Sequence, residues 1–183
     1  MGRIDIIMGS MFSGKSTEII RLINRYKVLK KQILILNHAL DNRYQESSIS
    51  THSNMSLDCT SISKFDEIKS ECYKNAEVIV VEEAQFFKGL YEFCKKACDI
   101  DDKIIIVSGL DGDSNRRKFG EILDLIPICD SVKKLHALCT YCNDGTKASF
   151  TLRHNDVENK EQIFIGVKEF SAVCRKHYLE LAH

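Results

Sequence analysis

The 183-residue sequence is poor in the features that mark several classes of protein. It has a single proline, Pro127, and no internal repeat, low-complexity block or proline-rich linker. No apolar run is long enough to span a bilayer. The 26 basic residues balance the 26 acidic ones, so the charge indicates no steering toward nucleic acid or a membrane. These absences favour one globular domain with room for a small appendage.

Targeting signals are also absent from the sequence. Its first residues lead directly into a predicted strand, without the apolar segment and cleavage site of a signal peptide. They also lack the Ser or Thr that N-myristoylation requires. We therefore expect a soluble cytoplasmic protein without a nucleic-acid or membrane partner. In that compartment, the eight cysteines favour free thiols or metal ligands over a disulfide framework.

The clearest motif fits the pattern G-x-x-x-x-G-K-[ST] without a mismatch. It consists of Gly9, Ser10, Met11, Phe12, Ser13, Gly14, Lys15 and Ser16. An apolar strand (residues 4–8) is predicted before it and an amphipathic helix (residues 17–30) after it. A glycine-rich loop at a helix N-terminus binds phosphate through backbone N–H groups, while Lys15 can reach the terminal phosphates and Ser16 can bind Mg²⁺. An ordinary strand–turn–helix is the alternative, and the context favours the phosphate site.

The rest of the first 136 residues alternates between strand and helix patterns. Strands are predicted at 32–37, 76–81, 103–108 and 132–135, helices at 63–73, 87–98 and 121–126, and a long polar loop at 40–58. Strands that are almost continuously apolar and alternate with helices predict an α/β fold with a mainly parallel sheet, covered on both faces. Because the pattern changes afterwards, we predict a core of residues 1–136 and a small appended domain of residues 137–183.

Two adjacent acids, Glu82 and Glu83, follow the strand at 76–81. They stand at the sheet edge where open α/β folds bind ligands. In a P-loop protein one acid there holds Mg²⁺ and a neighbour can take a proton from an attacking hydroxyl. On an extended chain the two side chains point to opposite faces, which suggests different roles. The alternative is a solvated helix N-terminus, where acids are favoured by the helix dipole.

Two loops have weaker signals. Asp41 and Arg43, in the loop after the second strand, fit a pair in which Asp41 orients Arg43 on a phosphate, although such residues are common in turns. The run at 110–120 contains glycines, cations and Phe119 and follows another strand. It suits a substrate loop and equally suits a basic surface turn.

Four metal-binding residues near the C-terminus have the spacing of zinc knuckles. They form the pairs Cys139-x-x-Cys142 and Cys174-x-x-His177. Two such pairs provide the four nitrogen and sulfur ligands of a closed, structural Zn²⁺ site. The remaining cysteines, including Cys94 and Cys98 on one predicted helix face, are interpreted as buried apolar residues.

Taken in order, these motifs closely resemble the thymidine kinases of the cellular and poxvirus type, over essentially the whole chain. The resemblance rests on the P-loop, Asp41-x-Arg43, residues 82–87, Leu110-Asp111-Gly112 and the two knuckle pairs. It implies a RecA-like P-loop domain and a small zinc-ribbon-like domain with a lasso loop that closes over the base. It also implies transfer of the γ-phosphate of ATP to the 5′-hydroxyl of thymidine, a homotetramer, and feedback inhibition by thymidine triphosphate.

The resemblance also implies roles for particular residues. The P-loop, Asp41, Arg43, Glu82 and Gln85 would bind ATP, with Mg²⁺ held at Ser16 and Glu82, and Glu83 would be the general base. The expected substrate site consists of Met11, Phe86, Leu110, Ser114, Phe119, Thr151, Phe170 and the lasso residues Glu161, Gln162, Ile163, Phe164 and Ile165. In the lasso, the backbone is expected to hydrogen-bond the pyrimidine edge.

Four positions depart from the family pattern. Glu82 replaces the usual Asp, Ser114 an aromatic residue, Phe170 a Tyr, and His177 the fourth Cys of the zinc site. Zinc tolerates the last change. Loss of stacking area at Ser114 and of a hydroxyl at Phe170 leaves the reaction class unchanged but opens the substrate range to deoxyuridine analogues or deoxycytidine.

Two other classes of P-loop protein compete with the kinase. An ATPase acting on nucleic acid is suggested by the helicase-like run at 82–85 and by the zinc knuckles. Such enzymes need two RecA-like domains and a basic footprint, whereas this chain has room for one domain and no net charge. A GTPase is weaker, since Asn159-Lys160-Glu161-Gln162 lacks the aspartate expected for guanine recognition.

Overall fold

A six-stranded sheet forms the centre of the molecule. The computed structural model describes residues 1–40, 48–50, 56–154, 161–163 and 166–182, with the backbone alone for 48–50 and 56–58. The described strands are β1 (Arg3–Gly9), β2 (Ile33–His38), β3 (Ser48–Ser50), β4 (Ser56–Asp58), β5 (Thr60–Ile62), β6 (Val78–Val81), β7 (Ile104–Gly109), β8 (Ser131–Leu135), β9 (Ala137–Leu138), β10 (Lys147–Ala148), β11 (Phe150–Arg153) and β12 (Phe170–Val173). The described α-helices are α1 (Lys15–Val28), α2 (Ser70–Asn75), α3 (Leu90–Asp99) and α4 (Arg175–Leu181).

All pairings within the central sheet are parallel. Its strand order is β5–β2–β6–β7–β1–β8. This confirms the predicted α/β class and is consistent with a RecA-like P-loop domain. Because the strands are parallel, their carboxyl ends lie at one edge, and this edge carries the loops after Gly9, Val81 and Gly109.

Apolar side chains cover both faces of this sheet. Along β1, Ile6 packs into a cluster with α3, whereas Ile7 packs into a second cluster with α1. Helix α1 buries Ile19, Ile20 and Ile23, and α3 buries Leu90, Cys94 and Ala97. Strand alternation and helical spacing thus produce the two-sided core that the sequence predicted. The buried Cys94 confirms its interpretation as an apolar residue, and burial raises the pKa of its thiol. The same interpretation was wrong for the exposed Cys72, and Cys59, Cys98 and Cys129 are only partly buried.

The structure differs from the local predictions at four places. The helix predicted at 121–126 is a 3₁₀ helix, Ile122–Ile128, which contains Pro127. The segment predicted as one helix at 63–73 is a 3₁₀ turn (Phe65–Glu67) followed by the short α2, because the backbone is extended at Ile68 and near-extended at Lys69. Phe65 stacks on Phe93 with a 4.0 Å centroid separation, so side-chain packing outweighs the helical pattern. Residues 40–58 include the antiparallel pair β3–β4, and β5 was missed because an edge strand of polar residues has no apolar signature.

The C-terminal part packs around a core of its own. Strands β9 and β10 pair with each other, and β11 pairs with β12, both antiparallel. Residues from these strands and from α4 form a third apolar cluster that includes Cys139, Cys174 and Tyr178. The predicted division at residue 136 stays a prediction. Among the described residues, no helix is both long and apolar enough to cross a membrane.

Candidate active site

The P-loop connects the end of β1 to the start of α1. Gly14 has a left-handed backbone (φ 85°) at the N-cap position, so the loop can turn directly into the helix. The Lys15 ammonium donates to the carbonyls of Gly9 (3.3 Å) and Ser10 (3.0 Å). Ser13 Oγ is buried and has no hydrogen-bond partner in the described part of the chain. A buried, unpartnered hydroxyl beside a lysine and a helix N-terminus suits a phosphate.

Ser16, in the first turn of α1, lies beside Glu82, the residue after β6. The Ser16 hydroxyl donates to Glu82 Oε1 at 2.7 Å, while Glu82 Oε2 is buried and unpartnered within the described residues. Burial, and then the charge of the adjacent Glu83, raises the pKa of the Glu82 carboxyl to about 7. A hydroxyl and a carboxylate with an unused oxygen are hard donors of the kind that Mg²⁺ takes.

Glu83 departs from the extended backbone expected for the pair. It has φ 51° and ψ 41°, in the left-handed region, and precedes a 3₁₀ turn at Ala84–Phe86. The extended-chain reasoning was therefore wrong, but the two carboxylates do contact different partners. Glu82 accepts from Ser16, whereas Glu83 Oε2 accepts from Gln85 Nε2 at 2.5 Å. A non-glycine residue with positive φ is a strained position of the kind found at functional sites.

A largely apolar pocket opens beside Glu83. It is lined by Met11, Glu83, Gln85, Phe86, Leu110, Gly112, Asp113, Ser114, Phe119, Thr151, Arg153, Gln162, Gly166 and Phe170. The rings of Phe86 and Phe119 meet edge to face with centroids 5.6 Å apart. The pocket is concave, partly aromatic and edged by a carboxylate, which suits a flat ring bearing a hydroxylated substituent.

The structure brings most of the predicted substrate residues to this pocket and leaves others elsewhere. Glu161 offers its carbonyl to Arg153 at 2.8 Å, and Ile163 lines a neighbouring groove. Neither lies on the pocket wall. Gln85, predicted with the ATP site, lies on the wall beside Glu83. The predictions for Asp41, Arg43, Phe164 and Ile165 fall outside the described residues.

Sequence reasoning did not single out Asp113 or Arg153. Asp113 is buried, and its Oδ1 accepts from the backbone N–H groups of Asn115 and Arg117. Its Oδ2 accepts from Gln162 Nε2 at 2.8 Å, which fastens the segment at 161–163 to the loop at 110–120. The run Asp113-Ser114-Asn115 was the available signal for the turn that these backbone bonds form, whereas no local signal indicated the contact with Gln162.

The two knuckle pairs converge on one point. The ligand atoms of Cys139, Cys142, Cys174 and His177 all lie within 4.8 Å of one another. Cys142 Sγ lies 3.8 Å from Cys174 Sγ, and His177 Nδ1 lies 3.4–3.5 Å from the three sulfurs. Tetrahedral zinc, with bonds of about 2.3 Å to sulfur and 2.0 Å to nitrogen, requires separations of about 3.8 Å and 3.5 Å. The cluster therefore fits zinc binding.

The backbone around this cluster favours the thiolate form of Cys139. Burial opposes ionisation of Cys139, but hydrogen bonds from the N–H groups of Cys174, Cys142 and Tyr141 outweigh it and lower the pKa of this thiol to about 6. Since zinc binds the thiolate, this environment assists ligation by Cys139 near neutral pH. Burial, and then the neighbouring thiols of Cys139 and Cys174, raise the pKa of Cys142 to about 11, so zinc must displace a proton there.

Further hydrogen bonds join the described residues after 136, which include the knuckle pairs, to the P-loop and to the pocket wall. The Met11 N–H donates to Thr151 Oγ1 at 3.0 Å, and Ser10 Oγ donates to the Ala148 carbonyl at 3.3 Å. Tyr178, which follows His177 in α4, donates its hydroxyl to the Ser114 carbonyl at 2.6 Å. The P-loop, the pocket and the zinc cluster are therefore one connected assembly.

Fold and site together define a P-loop phosphotransferase with a separate acceptor pocket. A parallel sheet, a G-x-x-x-x-G-K-S loop and an acid pair at the same edge serve nucleotide chemistry. The pocket beside Glu83 is a candidate site for the second substrate.

Comparison with known proteins identifies the family. The thymidine kinase family matches residues 2–178. Thymidine kinase a of Arabidopsis thaliana is 43% identical over 182 residues, which is 97% of this chain and 75% of that protein. Thymidine kinase of rabbit fibroma virus (strain Kasza) is 39% identical over 177 residues, 97% of this chain and 96% of the viral protein. The cytosolic thymidine kinase of Gallus gallus is 36% identical over 179 residues, 98% and 78% of the two chains. The chain belongs to the thymidine kinase family, which confirms the resemblance inferred from its motifs.

Proposed function

We propose that this protein transfers the γ-phosphate of ATP to the 5′-hydroxyl of thymidine, a step of nucleoside salvage. The observation that carries the proposal is the position of Glu83, which lies on the wall of the apolar pocket while its neighbour Glu82 is hydrogen-bonded to the P-loop Ser16. One dipeptide thereby connects a phosphate-donor site to an acceptor site.

On the donor side, the P-loop backbone and Lys15 bind the phosphates. Lys15 lies over the carbonyls of Gly9 and Ser10, so its ammonium must turn toward the triphosphate when nucleotide binds. Ser16 and Glu82 are the residues that would hold Mg²⁺. When bound, Mg²⁺ supplies charge neutralisation on the phosphate oxygens. Asp41 and Arg43 remain proposed triphosphate contacts.

On the acceptor side, Glu83 takes the proton from the 5′-hydroxyl. The hydroxyl oxygen forms a bond to the γ-phosphorus while the bond to the bridging β,γ-oxygen breaks, and ADP leaves with that electron pair. Phe86, Phe119, Leu110 and Met11 provide the apolar surface for the thymine ring. Gln162, hydrogen-bonded to Asp113, helps to close the pocket against water that would otherwise hydrolyse ATP.

The zinc cluster is proposed as a structural site. Three thiols and one imidazole leave no ligand position open for catalysis. A zinc ion there would fix the ends of β9, β12 and α4 relative to one another. We place the domain boundary at residue 136, between β8 of the parallel sheet and β9 of the zinc-ligand region, which has its own apolar cluster.

Three further properties follow from membership of the family. We propose that the protein is a homotetramer, is inhibited by thymidine triphosphate and acts in the cytoplasm. The Gallus gallus relative, named as cytosolic, supports the last point. Size-exclusion chromatography with light scattering would test the first, and inhibition measured at fixed thymidine would test the second.

The role of Glu83 can be tested with Glu83→Gln. This variant keeps the shape of the side chain but cannot accept the proton, so we expect kcat to fall by about 10²- to 10⁴-fold. Thymidine binding should persist, because the pocket wall is unchanged. Radiolabelled phosphate transfer and calorimetric thymidine binding measure the two effects. Undiminished turnover would show that Glu83 is not the base.

Substrate range can be tested in one coupled ATP assay. We expect ADP release with thymidine and deoxyuridine, and the assay should include deoxycytidine because Ser114 and Phe170 change the wall relative to the family pattern. Single-stranded DNA is the fourth candidate stimulant. Stimulation by DNA alone would favour the ATPase and refute the kinase.

A further inference from the structure

The side chain of Gln85 is buried and hydrogen-bonded at both ends. Only 3% of the residue is exposed. Its Oε1 accepts from the Leu110 backbone N–H at 3.0 Å, and its Nε2 donates to Glu83 Oε2 at 2.5 Å. Because an N–H must donate to the oxygen of the amide, the Leu110 contact fixes which end faces Glu83. The donor end therefore points at the carboxylate.

Two glycines allow the surrounding backbone to close on this residue. A Cβ at Gly109 would lie 2.4 Å from Gln85 Oε1, and a Cβ at Gly120 would lie 2.2 Å from the carbonyl oxygen of Gln85. Any larger residue at either position would displace Gln85. The end of β7 and the loop at 110–120 thus hold both the amide and the backbone of Gln85 in one place.

The amide of Gln85 is hydrogen-bonded to the Glu83 carboxylate, whose orientation matters if Glu83 is the general base. Glu83 projects from a left-handed backbone at the edge of the pocket and is only partly buried. A general base must lie within hydrogen-bond reach of its proton, and a displacement of about 1 Å can cost about 100-fold in rate. A donor with a fixed position restricts the rotation of the Glu83 carboxylate.

We propose that Gln85 is a positioning residue that holds Glu83 in the orientation for proton abstraction. This inference rests on the proposed role of Glu83 as base. In this role Gln85 acts through Glu83, not on the reacting atoms themselves. Its hydrogen bond is made to one carboxylate oxygen, Oε2, and in this role the other oxygen, Oε1, would take the proton of the acceptor hydroxyl. The role differs from the ATP binding that the resemblance implied for Gln85.

A double-mutant cycle separates positioning from general structural support. Gln85→Met removes both amide hydrogen bonds at nearly constant volume, and it is made in the wild-type chain and in Glu83→Gln. In the wild-type chain we expect kcat to fall by about 100-fold with thymidine KM changed less than about threefold. In the Glu83→Gln chain we expect less than about threefold further loss, because the group that Gln85 positions is already inactive. Single-turnover transfer of labelled phosphate gives the rates.

A second variant and a control variant distinguish the loss of positioning from a folding defect. Gln85→Glu keeps an acceptor for the Leu110 N–H but loses the amide donor, and it should lower kcat as Gln85→Met does. Gln32→Met makes the same substitution at an exposed glutamine beside the amino end of β2, away from the site, and should leave kcat unchanged. Thermal unfolding and zinc content confirm that each variant is folded.

The outcomes distinguish this inference from the proposed function. Equal fold losses from Gln85→Met in both backgrounds would overturn the positioning role, and so would a raised thymidine KM with unchanged kcat. Either result leaves Glu83 as base if Glu83→Gln alone is inactive. Full turnover by Glu83→Gln would instead defeat the assignment of the base, and the positioning role with it.

Discussion

Single residues with unusual backbone conformations surround the acceptor site. Glu83 is left-handed although it is not glycine, and Gly120 has φ 62° with the backbone of Gln85 directly against its Cα. A strained backbone conformation of this kind is kept only where the surrounding contacts hold it in place. Here the contacts belong to Gln85, which is hydrogen-bonded to Glu83 and packed against Gly120.

Gly120→Ala should therefore destabilise the fold more than a Gly→Ala substitution at a position where the only cost is the positive φ. Gly89 is the matched control, because its φ is 74° and a Cβ there has open space. We expect Gly89→Ala to lower the free energy of unfolding by about 1 kcal/mol, from backbone strain. Gly120→Ala should lose at least about 2 kcal/mol more, because its Cβ would overlap the Gln85 carbonyl. Urea unfolding measures both, and equal losses would contradict the close packing.

At the level of elements, Glu18 links α1 to the edge strand β8. Its carboxylate accepts from Arg21 one turn later in α1 and from Lys133 of β8 at 2.8 Å. The hydrogen bonds from Arg21, and then Lys133, lower the pKa of Glu18 to about 2 against the opposing effect of burial. A carboxylate whose pKa is lower in the folded than in the unfolded state stabilises the fold at any pH where it is ionised in both of these states.

This ion pair predicts a particular pH dependence of stability. The contribution of Glu18 should be fully present above pH 4.5, its ordinary pKa, and should vanish as the pH falls toward about 2. Because Arg21 and Lys133 are half-exposed, we expect a screened contribution of about 1 kcal/mol. The free energy of unfolding of wild type minus that of Glu18→Gln should be constant from pH 7 to 5 and decrease below 4.5. Glu92→Gln, at an exposed site on α3, is the control and should show no such decrease. If the difference between wild type and Glu18→Gln did not depend on pH, the lowered pKa of Glu18 would be refuted.

The whole molecule shows which parts of a fold a sequence can reveal. The strands β1, β2, β6 and β7 were predicted because burial on both faces leaves an almost continuous apolar run, and the helix α1 because burial of one face leaves helical spacing. The zinc ligands and P-loop were predicted because their chemistry requires fixed spacings. The left-handed Glu83, the buried Asp113 and the two glycines against Gln85 were not predicted, because they depend on contacts between segments that are distant in sequence.

Loss of zinc should affect more than the residues that bind it. Cys139→Ser removes one of four ligands, so we expect zinc content to fall from about one per chain to a small fraction of that. Thermal unfolding should then begin at a lower temperature, since α4 and β9 lose their common attachment. Cys72→Ser, at an exposed cysteine, is the control and should keep its zinc. Full zinc occupancy in Cys139→Ser, measured by elemental analysis, would overturn the ligand assignment.

The hydrogen bond from the Met11 N–H to Thr151 has a consequence for how such proteins can be recombined. It commits one backbone donor of the P-loop to the C-terminal part of the chain, and the Ser10 side-chain hydroxyl donates to the Ala148 carbonyl. The two parts have separate apolar cores, yet the loop conformation depends on both. A chimaera that takes residues 137–183 from a relative must therefore supply a hydroxyl at position 151 and the same backbone path at 148. The boundary between the cores is a poor point of exchange unless positions 11 and 151 are inherited together.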